Sequence, residues 1–431
     1  MFQTLKNAWS VPDIRKKILI VLALIFVFRI GSFIPVPGMN VEALNQFIQS
    51  SGAAGFAGMF NIISGGAFSN FAIFAMSITP YINASIILQL LTIAIPALER
   101  MSKEGEEGRK KIAQYTRYLT IVLALVQAIG LSISFRSFLY SNDFITHLTV
   151  VVTLAAGTAF IMWLSEQINE YGIGNGTSLI IFAGIVSGLP AGIQTLITAT
   201  GVGQSVYGIL WMILAVVGML ALVAAVVWVT QAERRIPVQY AKRVVGRKMY
   251  GGQSTHIPMK VASAGVIPII LAMSLMMFPA MIIGVFNQNP TGALYVISKI
   301  SSPVGAAWWY TLIHGVVYSL LIIGFTFFYT AITFNTVEIA NNLKKNGGFI
   351  PGIRAGKPTA EYLNKISNKL NVFGSIFLAV VALIPILLQT LTSTSIYFGG
   401  TAILIVVGVA IETTKQLESQ LVMRHYKGFL D

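Results

Sequence analysis

The chain contains no cysteine, which excludes disulfide staples, thiol catalysis and cysteine-ligated metals and leaves the redox compartment unmarked. Aspartate is nearly missing. Only Asp13, Asp143 and Asp431 occur, none of them inside an apolar run, so an intramembrane pair of catalytic aspartates cannot be assembled. The four histidines, His147, His256, His314 and His425, are scattered among loops, one apolar run and the tail, and no H-E-x-x-H pattern gathers two of them around a metal. His314 is the only one inside a span, where it reads as a hydrogen-bonded structural side chain, and a serine nucleophile has no other base in the apolar runs. No G-x-x-x-x-G-K-[ST] phosphate cradle is present, so an energy source has to be a partner. The glycine-rich run at 172–176, GIGNG, has no strand before it and an apolar segment after it; it reads as a tight turn and not as a nucleotide loop. These absences predict a protein that is no enzyme and has neither cofactor nor metal.

What the chain has in excess is apolar length. Its 431 residues are 55% hydrophobic and 10% charged, with 39 glycines and a mean hydropathy of +0.76, the composition of a polytopic membrane protein. Residues 1–17 are polar and form an amphipathic surface helix around Phe2, Leu5 and Trp9, ending in Arg15-Lys16-Lys17. Ten apolar runs follow, at Ile18–Ile34, Ile78–Ile95, Tyr118–Phe138, Leu148–Leu164, Ser178–Leu196, Tyr207–Val229, Val261–Phe286, Ala307–Phe334, Leu370–Leu391 and Ile396–Ile411. The first is not a secretory signal, because Arg29 interrupts it and no small-residue cleavage site precedes Pro35 and Pro37.

With alternating sides, 26 of the 29 lysines and arginines fall on one face: the N-terminus, 100–117, 234–260, 344–369 and the C-terminus. The positive-inside rule makes that face, and so both termini, cytoplasmic. Two sets of five spans are necessarily inverted relative to each other, the arrangement of inverted-repeat transporters. The expected architecture is therefore an all-α polytopic membrane protein with ten transmembrane helices in two inverted five-helix halves. The N-terminal half occupies 18–196, an external hinge 197–206, the C-terminal half 207–416 and a cytoplasmic tail 417–431.

Gly55–Leu91 is too long for a single span of roughly 20 residues and has to be two elements. Its first half carries Gly55, Gly58, Gly65 and Gly66 with Ser64, Ser69 and Asn70, and such helix-breaking backbone survives at membrane depth only inside protein or beside water. A short re-entrant helix held in the bundle is predicted, over about 55–75. The second half sets Ile78, Ile82 and Ile86 one helical turn apart, a stiff apolar stripe. Arg29, the one intramembrane cation, costs about 2.5–3.5 kcal/mol near the bilayer centre on insertion scales and so needs partners. It either snorkels outward or meets carbonyls of the glycine-rich segment.

Two long cytoplasmic stretches carry most of the remaining charge. In 231–260, Ile236, Val238 and Tyr240 alternate with polar residues and Gly246 supplies a turn, which predicts a hairpin tipped with Lys242, Arg243, Arg247 and Lys248. In 335–369, Gly347-Gly348, Pro351-Gly352 and Gly356-Lys357-Pro358 bend a short projection that presents Arg354. Either these charges only fix orientation, or the basic arms meet an acidic protein surface or RNA phosphate.

Several blocks of the sequence, FRIGSFIPVPG (28–38), GMFNIISGGAFSNFAIFAMSITPYINASIILQLL (58–91), KEGEEGRKKIAQYTRY (103–118), GIGNGTSLIIFAGIV (172–186), YAKRVVGRK, QSTHIPMKV, NNLKKNGGFIPGIRAG and YFGGTAILIVVGV (397–409), resemble blocks of the SecY family in the same order. The resemblance spans essentially the whole chain. It implies the channel-forming subunit of the bacterial Sec translocon, in the inner membrane, passing unfolded preproteins across and releasing signal or transmembrane helices sideways into lipid. It also implies an external plug on the glycine-rich segment, at Phe60, Asn61, Ile62, Ile63, Ser64, Gly65, Gly66, Ala67, Phe68, Ser69 and Asn70. A pore ring is implied at Ile78, Ile82, Ile181, Ile270 and Ile405, with Thr177 more polar than in some relatives. A lateral gate between spans 2 and 3 and spans 7 and 8 is implied at Asn83, Gln127 and Ser274, polar residues that also suit plain interhelical hydrogen bonds. Arg243, Arg247, Arg354 and Lys357 match partner-binding positions of the arms, and the implied partners are SecE, SecG, the SecA motor, the ribosome, signal peptides and membrane lipid. Without the resemblance, a secondary transporter with the same inverted halves fits the topology equally, although it normally needs ionisable coupling residues at midplane and only Arg29 is there.

Overall fold

A computed structural model describes residues 2–50, 61, 64–200, 206–240, 243–245, 248–250, 254–286, 291–301, 307–392 and 400–427. Helices fall on all ten apolar runs: Pro12–Gly31, Thr79–Ala94, Glu106–Ser134, Phe144–Tyr171, Gly176–Ser187 with Leu189–Thr200, Val206–Gln231, Ile267–Phe286, Trp308–Thr333, Lys357–Thr392 and Gly400–Lys427. Among the described residues six are long and apolar enough to cross a membrane alone, or seven if one bent pair is a single span. The first helix lies outside that set, and its opening turns carry Asp13, Arg15, Lys16 and Lys17.

Several boundaries have local causes. Ile95 stands before Pro96, takes extended angles of φ −108° and ψ 111°, and so ends Thr79–Ala94; the next helix, Pro96–Lys103, leaves at 102°. The GIGNG run is a helix-opening turn. Gly174 takes φ +99°, the Asn175 side chain accepts from the Ser178 N–H at 3.2 Å, and the Gly176 N–H donates to Asn169 Oδ1 at 2.8 Å. A side chain at 176 is impossible without movement, because a Cβ there would stand 2.0 Å from the Ser165 carbonyl oxygen.

The apolar interior divides in two. One cluster gathers Phe28, Phe74, Ile78, Ile161, Ile168, Ile181 and Ile185 from the first half of the chain; the other gathers Ile269, Met273, Tyr318, Ile322, Leu378 and Ala382 from the second. The Gly400–Lys427 helix belongs to both. Ala402, Ile405 and Val409 face the first cluster while Ile403, Leu404, Val407 and Ile411 face the second, so one helix apolar on two sides joins the halves. Side-chain bonds reinforce the seam: the Gly174 N–H donates to Gln416 Oε1 at 3.0 Å and Lys17 Nζ donates to Gln420 Oε1 at 3.3 Å.

The two long basic stretches form one unit. Strands β1 (Glu233–Tyr240) and β4 (Ser254–Lys260) pair antiparallel with Ile236 opposite Ile257, and β2 (Arg243–Val245) pairs with β3 (Lys248–Tyr250) in the hairpin between them. On the other edge of β1 lies β5 (Gly348–Phe349), contributed by the second stretch, so the three-stranded order is β4-β1-β5. Below the sheet a small core of Ile236, Val238, Met259, Leu343, Ile350, Leu363 and Ile366 holds both arms together.

Candidate functional site

The glycine-rich segment departs from a regular helix. Of its first part only Asn61 and Ser64 are described, both helical; Phe60, Ile62 and Ile63 lie outside the described residues. From Gly65 to Ser77 the backbone folds as consecutive tight turns, with φ +64° at Gly65, +89° at Gly66 and the uncommon values +39° at Phe71 and +50° at Ser77. Much of its backbone is nevertheless paired: the Gly66 N–H donates to Asn61 O at 2.9 Å, Ala72 N–H to Ala67 O at 2.8 Å, and Ile73 N–H to Ile34 O at 2.9 Å. Ser64, Ala67, Phe68, Phe71 and Ala72 are buried. Regular helix resumes only at Thr79, so Ile78 caps that helix and does not lie within it.

Small residues let this irregular segment approach its neighbours. A Cβ on Gly65 would come within 2.7 Å of Gly184 Cα, and one on Gly157 within 2.0 Å of the Ile73 carbonyl oxygen. Phe74 stacks between Phe28 and Phe160, each ring pair 5.9 Å apart. Arg29 lies half-buried beside the segment: its guanidinium donates to the Gly65 carbonyl oxygen and sits 4.7 Å over the Phe33 ring. Of the two outcomes the sequence leaves open for Arg29, outward snorkelling or a carbonyl of the glycine-rich segment, the carbonyl contact is the one found.

Beneath the turns, the five isoleucines expected at a ring meet in one apolar cluster. Ile78, Ile181 and Ile405 are buried there, and Ile82 and Ile270 pack against it half-buried. They come from four helices, Ile82 and its cap Ile78 sharing one, and from both halves of the chain. Ala67 and Ala72 of the turn segment belong to the same cluster, so the turns and the isoleucines touch one apolar body. Thr177 accompanies them on the Gly176–Ser187 helix, but its hydroxyl is tied to Ser165 Oγ at 3.0 Å.

Ile267–Phe286 packs against both Thr79–Ala94 and Glu106–Ser134, which brings the two halves together along a seam. Asn83, Gln127 and Ser274 stand one on each of these three helices, Gln127 buried and the others half-buried. No hydrogen bond among the described residues links one of the three to another. In the arms, Arg354 and Lys357 are exposed, and Arg243 lies at the start of β2, paired with Tyr250. Arg247 lies outside the described residues.

Residue-by-residue reading of the sequence missed Gly184 and Ser187, the surface on which the turns rest. Small residues three apart on an apolar helix are the available signal for such close approach. It also missed the Phe28–Phe74–Phe160 stack, whose members are distant in the chain.

A family model described as SecY matches residues 72–414. The chain is 48% identical over 443 residues to a protein translocase subunit SecY of Halalkalibacterium halodurans and 45% identical over 443 residues to one of Bacillus subtilis, each match covering 100% of both chains. Among solved structures, one described as a protein conducting channel has a TM-score of 0.67 at 19% identity, covering 94% of this chain and 92% of its own. Sec61 from a canine ribosome-channel complex has a TM-score of 0.64 at 18% identity, with the same coverage of 94% and 92%. At those identities the structures speak for the fold: ten helices in two halves with a plug.

Proposed function

Because this chain belongs to the SecY family, we propose that the shared cluster of Ile78, Ile82, Ile181, Ile270 and Ile405 is the constriction of its pore. The protein is a multi-pass membrane channel subunit of the protein translocase and not an enzyme; polypeptides cross through it, and the secondary-transporter reading is not favoured. The observation that carries the assignment of the constriction is convergence: residues as far apart in sequence as Ile78 and Ile405 share one apolar body with the turn segment. Apolar side chains at a narrow point resist wetting yet deform around any passing side chain, so they seal without binding the substrate.

In this reading the segment 60–70 is the plug that covers the constriction from outside, and the seam of Ile267–Phe286 with spans 2 and 3 is where the halves part. A signal peptide, itself an apolar helix, supplies the differential affinity that shifts the channel from closed to parted. Asn83, Gln127 and Ser274 line that seam. The arms face the cytosol, with both termini on the same side of the bacterial inner membrane. The fused two-arm sheet supports a docking role for Arg243, Arg247, Arg354 and Lys357, with the SecA motor and the ribosome as partners, and SecE and SecG as companion subunits.

The native chain lacks cysteine, so single thiols report without background. A preprotein arrested in transit should cross-link to Ile270→Cys and not to Leu220→Cys, whose position is 64% exposed on the outer face of its helix. Cross-linking at 220 but not at 270 would remove Ile270 from the path.

A further inference from the structure

The Gly65 carbonyl oxygen accepts from two side chains belonging to different helices. One is the Arg29 guanidinium, from the end of Pro12–Gly31. The other is the Ser187 hydroxyl, from the last turn of Gly176–Ser187, at 3.3 Å; the same hydroxyl donates at 2.7 Å to Gly184 O, its shorter bond. Gly65 also rests on Gly184, whose lack of a side chain admits the contact. Apart from Arg136, two residues from the end of Tyr118–Phe138, Arg29 is the only lysine or arginine inside the ten apolar runs, and a full charge directed at one backbone carbonyl is stronger than a neutral donor in the same place.

This contact borders a cavity of about 220 Å³ lined by Arg29, Asn61, Gly66, Ser69, Asn70 and Ser187 among others. A charge sealed in an apolar interior would be left stranded if its partner moved away, which would make the contact permanent. The cavity has a mixed lining, but Asn61, Ser69 and Asn70 give water polar partners there, so the guanidinium can be rehydrated once Gly65 leaves. The contact is therefore strong when made and reversible when broken.

We propose that Arg29 is a latch: a positioning residue that holds the turn segment closed through the Gly65 carbonyl and sets how readily the channel opens. The proposal rests on the plug reading above. The cation is required for its charge and its forked geometry, since lysine would reach the carbonyl as a single point donor.

The test uses the full-length chain in its complex, reconstituted in vesicles, with Ala67→Cys as a reporter because Ala67 is a fully buried member of the segment itself. An impermeant maleimide added from outside should label Ala67→Cys slowly in the otherwise native protein. With Arg29→Met, labelling and resting ion leak should rise about tenfold, equivalent to about 1.4 kcal/mol, at unchanged thermal unfolding temperature, and Arg29→Lys should fall between. Unchanged labelling and leak in Arg29→Met, or faster labelling only together with a lowered unfolding temperature, would overturn the latch. A parallel deletion of residues 60–70 separates the two readings. If the deletion leaks and Arg29→Met does not, the latch fails and the plug stands; if neither leaks, the plug reading itself fails.

Discussion

Ile78 and Ile405 are buried in the same apolar cluster, 0% and 4% exposed, although one caps the second span of the first half and the other lies in the last span of the second half. A cluster that gathers such distant positions has to be made by the joining of the halves. Whatever parts the halves must open that cluster, so with the cluster as the proposed constriction the seal and the opening motion are coupled.

Deleting residues 60–70 should leave an inserted, folded protein with a raised resting ion leak. The helix at Thr79 has its own backbone bonds, Ile82 N–H to Ile78 O at 3.1 Å among them, and does not depend on the deleted turns. Conductance of reconstituted vesicles checks this; a protein that fails to insert would make the segment structural.

Arg354→Glu should weaken docking of a cytoplasmic partner at least about tenfold, or about 1.4 kcal/mol, and reduce driven translocation accordingly. Its side chain is exposed and its carbonyl bond from Thr359 Oγ1, at 2.8 Å, is untouched by the exchange, so stability should not change. Translocation assays beside thermal unfolding decide it, and full transport activity would refute the docking role.

Leu363→Ala should loosen both arms at once. Leu363 is fully buried in the small core shared by β1, β4 and the second arm, where such a truncation costs about 2–5 kcal/mol. Limited trypsin digestion from the cytoplasmic side should then cut in 231–260 and 335–369 together, while the membrane helices stay protected. Cleavage confined to 335–369 would mean that the arms are independent.

The spans were legible because apolar length is a direct record of the bilayer. The hairpin was legible too, through the alternation of Ile236, Val238 and Tyr240. Its third strand was not: Gly348-Phe349 is too short to carry a period, and pairing with β1 depends on where the second arm is placed. The glycines of 55–70 announced broken backbone, but the turns continue through Phe71 and Ser77, whose positive φ no side chain favours. From the residues alone, the stripe Ile78, Ile82, Ile86 marked an apolar face of the second span, and the place of Ile78 and Ile82 in a ring came from the family resemblance. Ile181, Ile270 and Ile405 came from the family resemblance, because each is an ordinary isoleucine within an apolar helix and only tertiary packing distinguishes it.

The most direct test of the constriction is single-channel conductance of the double variant Ile82→Ser, Ile270→Ser, measured with thermal unfolding on the same preparation. Both side chains are half-buried against the cluster, so serine in their place admits water at the narrow point without hollowing a closed core. The account predicts a raised resting conductance at a nearly unchanged unfolding temperature. An unfolding temperature lowered by cavities worth about 2–5 kcal/mol each, with resting conductance unchanged, would contradict it and return both residues to ordinary packing.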